Sequence, residues 1–272
     1  MLEKTIAQLE DKSRKIRRHV LTMIAEAGSG HTGGSLSSVD IITALYFYKM
    51  KYDAKKPSWE DRDRFILSKG HAAPALYAAL AEAGFFPHSE FKNLRKVGGM
   101  LQGHPSMTKT PGVEASTGSL GQGLSFANGV ALAGKMDGRK YRVYVLMGDG
   151  ECDEGQVWEA AMTAAHYKLD NITAIIDHNG FQIDGPVDRI MGLGKFSEKW
   201  ESFGWRVLRI DGHKYREIML ALDEVEQIKD TPTMIMAQTI KGKGVSFLEN
   251  NNEYHGKPIS AEQLQKALKE LE

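Results

Sequence analysis

The sequence predicts an α/β fold, a mainly parallel sheet with helices on both faces. Two observations carry this. Apolar runs of strand length alternate with stretches of helical periodicity almost throughout, the pattern of repeated strand–helix–strand crossovers. Two of the runs, Val143–Met147 and Ile172–Ile176, are nearly continuous in apolar residues, as strands buried on both faces are.

Taken in order, Ile6, Leu9, Ile16, Val20, Met23 and Ile24 recur on one face of a helix over 5–27. Lys12, Arg14, Lys15, Arg17 and Arg18 fall mostly on the other face and read as a solvated surface. Four glycines among residues 28–34, with His31 between them, predict a loop where backbone can approach a ligand. A helix is predicted over 39–50, and a short strand over 64–68 runs into Lys69-Gly70-His71-Ala72. An alanine-rich helix over 73–83 follows, then a helix near 89–97 and the glycine-flanked His104-Pro105. The turn Thr117-Gly118-Ser119-Leu120-Gly121-Gln122-Gly123 leads into a helix to Met136, a position suited to an anion or a ring.

The strand from Val143 stops at Gly148-Asp149-Gly150-Glu151, and a helix over 156–167 follows. The strand over 172–177 ends in His178-Asn179-Gly180-Phe181. Residues 182–195 read as a loop, and 196–203 as a helix. A strand over 205–210, a helix over 215–228 and a strand over 234–239 follow. The polar segment 240–259, carrying Lys241 and His255, exceeds the usual loop length and reads as functional. A helix capped by Ser260, with Glu262 in its first turn, closes the chain. No repeat or linker appears, so one domain over 1–272 is expected.

Composition narrows the function. The 272 residues are 42% hydrophobic, enough for a full core, and carry 35 basic against 35 acidic side chains. Nothing in this balance suggests a nucleic-acid partner, and there is no charged tail. No run approaches the length needed to cross a bilayer, and Glu3, Glu10 and Asp11 argue against a transit peptide. Cys152 is the lone cysteine and reads as packing in a reducing, cytoplasmic protein.

Asp149 and Asn179 lie 30 positions apart at the ends of two strands. A carboxylate, an amide oxygen and a loop carbonyl are hard donors of the kind magnesium takes, with phosphate or water completing its shell. Gly-Asp-Gly followed at this spacing by Asn resembles the thiamin diphosphate signature. Together with Ser29-Gly30-His31, Lys69-Gly70-His71-Ala72, Gly103-His104-Pro105, the 117–123 turn, Lys241-Gly242-Lys243-Gly244 and His255-Gly256, it is similar to the transketolase family over nearly the whole chain.

The resemblance implies a diphosphate-binding domain, and a chain without the family's pyrimidine-binding and C-terminal domains. It thus implies an N-terminal subunit of a split transketolase, inactive without a separate C-terminal partner, in an α2β2 assembly. The reaction implied is two-carbon ketol transfer between sugar phosphates, as in the pentose phosphate pathway. The cofactors implied are thiamin diphosphate and Mg2+, with Ca2+ or Mn2+ as alternatives. Asp149, Asn179 and the Phe181 carbonyl would hold the metal. Gly148, Gly150, Glu151, Lys241, His71 and His255 would lie at the diphosphate; Gly118, Ser119 and Leu120 would border the aminopyrimidine and Ile183 the thiazolium. His31, His71, His104 and His255 would serve catalysis, and Glu154 would join a carboxylate network across the interface. Thr32, Gly34 and Ser119 depart from common family choices.

Other readings are the thiamin diphosphate-binding chain of a 2-oxo acid dehydrogenase, a deoxyxylulose-phosphate synthase-like enzyme, and a non-catalytic scaffold. A dinucleotide fold is disfavoured, because Gly121-Gln122-Gly123-Leu124-Ser125-Phe126 lacks the last glycine of its motif.

Overall fold

The computed structural model describes residues 2–272. Five strands, β1 (Arg64–Leu67), β2 (Val143–Gly148), β3 (Ile172–His178), β6 (Arg206–Asp211) and β7 (Thr233–Gln238), form one sheet in the order β1-β2-β3-β7-β6. Every pairing within it is parallel. The two-residue strands β4 (Phe181–Gln182) and β5 (Gly185–Pro186) make a separate antiparallel hairpin. The helices are α1 (Leu2–Ala27), α2 (Thr32–Ala44), α3 (Ala73–Glu82), α4 (Gln122–Met136), α5 (Gly155–His166), α6 (Val187–Ile190), α7 (Phe196–Ser202), α8 (Tyr215–Glu224) and α9 (Ala261–Glu270).

Alternation along the strands builds two cores. In β2, Tyr144 and Leu146 join the layer of α1, α2, α3 and α8. Val143, Val145 and Met147 turn to the layer of α4, α5 and α7. Successive side chains of a strand point to opposite faces, so a run that is apolar at every position is what a sheet covered on both sides requires.

Four expectations change. α2 starts at Thr32 rather than near 39, so Gly33 and Gly34 are helical and buried, not loop residues. Their missing side chains serve close packing: a Cβ on Gly33 would lie 3.0 Å from Lys241 Cγ, and one on Gly34 3.2 Å from His71 Nε2. Every residue of α2 is buried, which removes the amphipathic pattern that marks a surface helix. The helix expected near 89–97 is only a 3-10 turn, His88–Asn93. The loop over 182–195 holds the β4–β5 hairpin and α6. Arg17 is buried rather than solvated, because its guanidinium forks onto Asp40 at 3.0 and 2.6 Å.

α9 begins at a capping box. The Ser260 hydroxyl accepts from the Gln263 amide, and the Gln263 side chain accepts from the Ser260 amide. Cys152 is buried, its thiol donating to the Gly148 carbonyl at 3.4 Å. Among the described residues, no helix is long and apolar enough to cross a membrane.

Candidate active site

In a parallel sheet all carboxyl ends lie at one rim, where such folds bind ligands. His71 follows β1, Asp149 follows β2, Asn179 follows β3 and Lys241 follows β7. Together with His31, which precedes α2, and His104, Gly118 and His255 they line one cavity of about 250 Å³.

Asp149 is aimed by backbone. Its Oδ1 accepts from the Gly150 amide at 2.8 Å and its Oδ2 from the Gly180 amide at 2.6 Å. The second bond ties the tip of β2 to the turn after β3. Asn179 Oδ1 accepts from the Phe181 amide at 3.1 Å, the local turn that asparagine favours. Each carboxylate oxygen keeps a further lone pair, so the donor set remains free to take a hard cation. Burial raises the Asp149 pKa, Asp177 adds to this, and the two amides oppose it.

A buried ion pair stands behind the cavity. Lys69 Nζ binds the Asp177 carboxylate and donates to the Gly34 carbonyl at 3.1 Å. Ser37 and Ser38 donate to the same Asp177 oxygen at 2.6 and 3.1 Å, and Thr239 to the other. Burial alone would push Asp177 up; Lys69 and these hydroxyls bring its pKa below the usual value. The pair binds β1, β3, β7 and α2 together beneath the site.

The imidazoles form a triangle. His31 and His71 lie 5.2 Å apart, His31 and His255 5.7 Å, and His71 and His255 5.6 Å between ring centres. Lys241 Nζ donates to His255 Nδ1 and to Asn252 Oδ1, each at 2.7 Å. The His255 ring therefore carries its proton on Nε2. Burial and the surrounding cations depress the whole group: His31 to about 4, His255 to about 3, His71 well below its ordinary value, and His104 downward. Burial and Lys69 bring Lys241 to about 8. The cavity thus sets Lys241 and neutral imidazoles opposite the Asp149 carboxylate, donors that a phosphate can meet and an acceptor that a cation can meet.

Of the residues singled out from sequence, His31, His71, His104, Gly118, Leu120, Gly148, Asp149, Gly150, Glu151, Asn179, Phe181, Ile183, Lys241 and His255 all line this cavity. Ser119 and Glu154 do not; both side chains are exposed outside it. Ile183 lines it while 68% exposed. Glu151 spends its carboxylate on bracing, accepting from Ser68, from the Gly121 amide at 2.9 Å and from the Gly148 amide at 3.1 Å. Sequence reasoning missed Lys69, Asp177 and Arg95. Lys69 stood inside a motif and Asp177 at a strand end, but their pairing spans 108 positions. Arg95 reaches Ser29 Oγ at 3.0 Å from a left-handed backbone position, φ 62°, with no local signal.

The residues fit a diphosphate with a divalent cation. The donors at the strand tips are hard oxygens, Lys241 and the imidazoles offer N–H donors across the cavity, and among the described residues His31 Nδ1 is buried without a partner.

The family model described as "Transketolase, thiamine diphosphate binding domain" matches residues 10–271. A 6-deoxy-6-sulfo-D-fructose transketolase subunit, SqwG, from Clostridium sp. (strain MSTE9) is 46% identical over 97% of this chain and 96% of its own. An apulose-4-phosphate transketolase subunit from Phocaeicola vulgatus is 41% identical over 98% of this chain and 94% of its own. The crystal structure of transketolase from Campylobacter jejuni superposes with a TM-score of 0.92 at 34% identity, over 97% of this chain. This chain spans 42% of that one.

Proposed function

The chain belongs to the transketolase family, as its thiamine diphosphate-binding part, and on that premise we propose that it is the cofactor-binding subunit of a split transketolase. It transfers a two-carbon ketol unit from a ketose to an aldose together with a second polypeptide that supplies the pyrimidine-binding half. One observation carries this: Asp149 and Asn179 meet at adjacent strand tips, facing Lys241 and the imidazoles across one cavity. Two relatives are named as transketolase subunits and are matched over nearly their full length, which supports a single-domain subunit over 1–272. Their named substrates, a sulfosugar and a sugar phosphate, both bear a strong anion. Substrates with an anionic group are accordingly proposed here.

In this reading Asp149, Asn179 and the Phe181 carbonyl hold a divalent cation, Mg2+ with Ca2+ or Mn2+ as alternatives. Lys241, His71, His255 and the Gly150 amide meet the diphosphate. Gly118, Ser119 and Leu120 border the pyrimidine, with Ile183 against the thiazolium. The chemistry thiamin diphosphate supplies when bound is stabilisation of a carbanion beside a carbonyl. The protein's part is to orient and to move protons. Neutral imidazoles can accept a proton from a sugar hydroxyl, and an anion in the cavity raises their basicity toward neutral pH. His71 takes that role, while His255, its Nδ1 occupied by Lys241, donates from Nε2 to a substrate or cofactor oxygen, and His31 and His104 hold the sugar hydroxyls. Glu154, exposed at the start of α5, faces the partner in an α2β2 assembly in the cytoplasm.

The test is to purify the chain and mix it with its candidate partner. Ketol transfer between a ketose phosphate and an aldose phosphate should need both polypeptides, thiamin diphosphate and Mg2+. Turnover by the chain alone would overturn the subunit reading. Turnover of a 2-oxo acid in place of a ketose would overturn the reaction.

A further inference from the structure

We propose that His19, Glu82 and His88 form a second divalent-metal site, suited to zinc or a similar late first-row ion, outside the candidate active site. His19 lies on α1, Glu82 ends α3, and His88 opens the 3-10 turn that follows. His19 Nε2 and His88 Nε2 stand 3.1 and 3.2 Å from the same oxygen, Glu82 Oε1. One ligand atom from each residue lies within 4.8 Å of the others. An ion roughly 2.0–2.1 Å from a nitrogen and an oxygen sets them about 2.9 Å apart at a right angle and about 3.4 Å apart at a tetrahedral one. The two nitrogen–oxygen spacings, 3.1 and 3.2 Å, fall between.

The surroundings hold these side chains in place. The two imidazoles stack at 5.0 Å and 28°, and Phe91 flanks them at 5.0 and 5.3 Å. Lys12 Nζ binds the other Glu82 oxygen at 2.7 Å, which fixes the carboxylate and leaves Oε1 toward the rings. Burial pushes Glu82 up, but Lys12 and His19 outweigh it and keep the carboxylate ionised at neutral pH. Each imidazole turns an Nε2–H to Glu82 Oε1 here and would present Nε2 to an ion as the Nδ1–H tautomer. Lys12 and Arg18 supply the opposing positive charge. Two imidazoles and a carboxylate suit zinc. With His88 half exposed, the remaining coordination is open to water, and the ion should exchange rather than be sealed in. Bound there, it would clip α1 to the end of α3 across 63 positions of sequence. None of this depends on the proposed reaction.

The experiment is a zinc titration of the full chain saturated with thiamin diphosphate and Mg2+, in competition with a chromogenic chelator. One equivalent should bind and raise the melting temperature, as a ligand of the native state does. His88→Ala and Glu82→Gln should each weaken binding at least about tenfold, since outer-shell changes alone cost that much. His88 is exposed enough that its variant keeps the fold, and cobalt absorption bands provide a second readout of imidazole coordination. The proposal fails if no equivalent binds at roughly 0.1 mM free zinc, or if His88→Ala binds as the parent does. It fails equally if zinc is lost in His255→Ala but kept in His88→Ala.

Discussion

Asp40 and Asp149 are both buried carboxylates, and their surroundings differ in kind. Asp40 accepts two bonds from Arg17, one from His213 Nδ1 at 2.7 Å and one from Tyr215 at 3.2 Å. Burial opposes its charge, but Arg17 and His213 hold its pKa far below the usual value. Asp149 has two backbone amides and, among the described residues, no ion-pair partner; its pKa moves the other way. Cations stand across the cavity from it, but Lys69 is committed to Asp177 and Lys241 to His255 and Asn252. A cluster with every charge answered holds the fold. A cluster with charges left unanswered awaits a ligand that completes it.

The largest effect should come from breaking the closed cluster. Arg17→Ala leaves Asp40 buried beside only His213 and Tyr215, and a lost partner of this kind costs about 3–5 kcal/mol. A denaturant melt should show that loss of stability; an unchanged midpoint would mean that Asp40 is not held as described. The open cluster should respond in the opposite sense. Asp149→Ala should leave the unliganded protein as stable or more so, yet weaken thiamin diphosphate and Mg2+ binding at least about a hundredfold, as read by calorimetric titration. A fall in stability without a change in affinity would erase the distinction between the two clusters.

Acid separates them by pH window. His31 and His255 are depressed from 6.5 to about 4 and about 3. As pH falls through 6.5, the unfolded chain takes up protons that the native state resists, so stability should drop from 6.5 toward 4 through both groups and on toward 3 through His255 alone. Asp40, depressed from 3.8, should contribute its full share above that pH and lose it only below. Scanning calorimetry across pH should resolve the two phases, and inorganic diphosphate should blunt the first alone. The smallest effect is expected at Gly34→Ala, where the added Cβ meets His71 Nε2 at 3.2 Å. A cost near 1 kcal/mol, with a weakened cofactor affinity, would show how tightly α2 is set against the imidazole.

Sequence carried the sheet well because β2 and β3 announce themselves: apolar runs, each ending abruptly in glycine, aspartate or asparagine. The strand tips were legible for the same reason, since a polar residue at the end of a buried run has one rim to occupy. α2 was misjudged because it is buried all round, and Gly33 and Gly34, which read as loop, serve packing instead. Arg17 looked like surface because the partner that draws it inward, Asp40, lies 23 positions away. Lys69 with Asp177, and the His19–Glu82–His88 group, are pairings across long stretches of chain that periodicity does not encode.

The rim has one more consequence. Its contributors run from His31 to His255 and sit on the ends of β1, β2, β3 and β7, so no fragment of the polypeptide contains the cavity. Pairings this distant in sequence form slowly. Recovery of cofactor affinity during refolding should therefore mark completion of the whole sheet, and thiamin diphosphate binding becomes a clock for the last step of maturation.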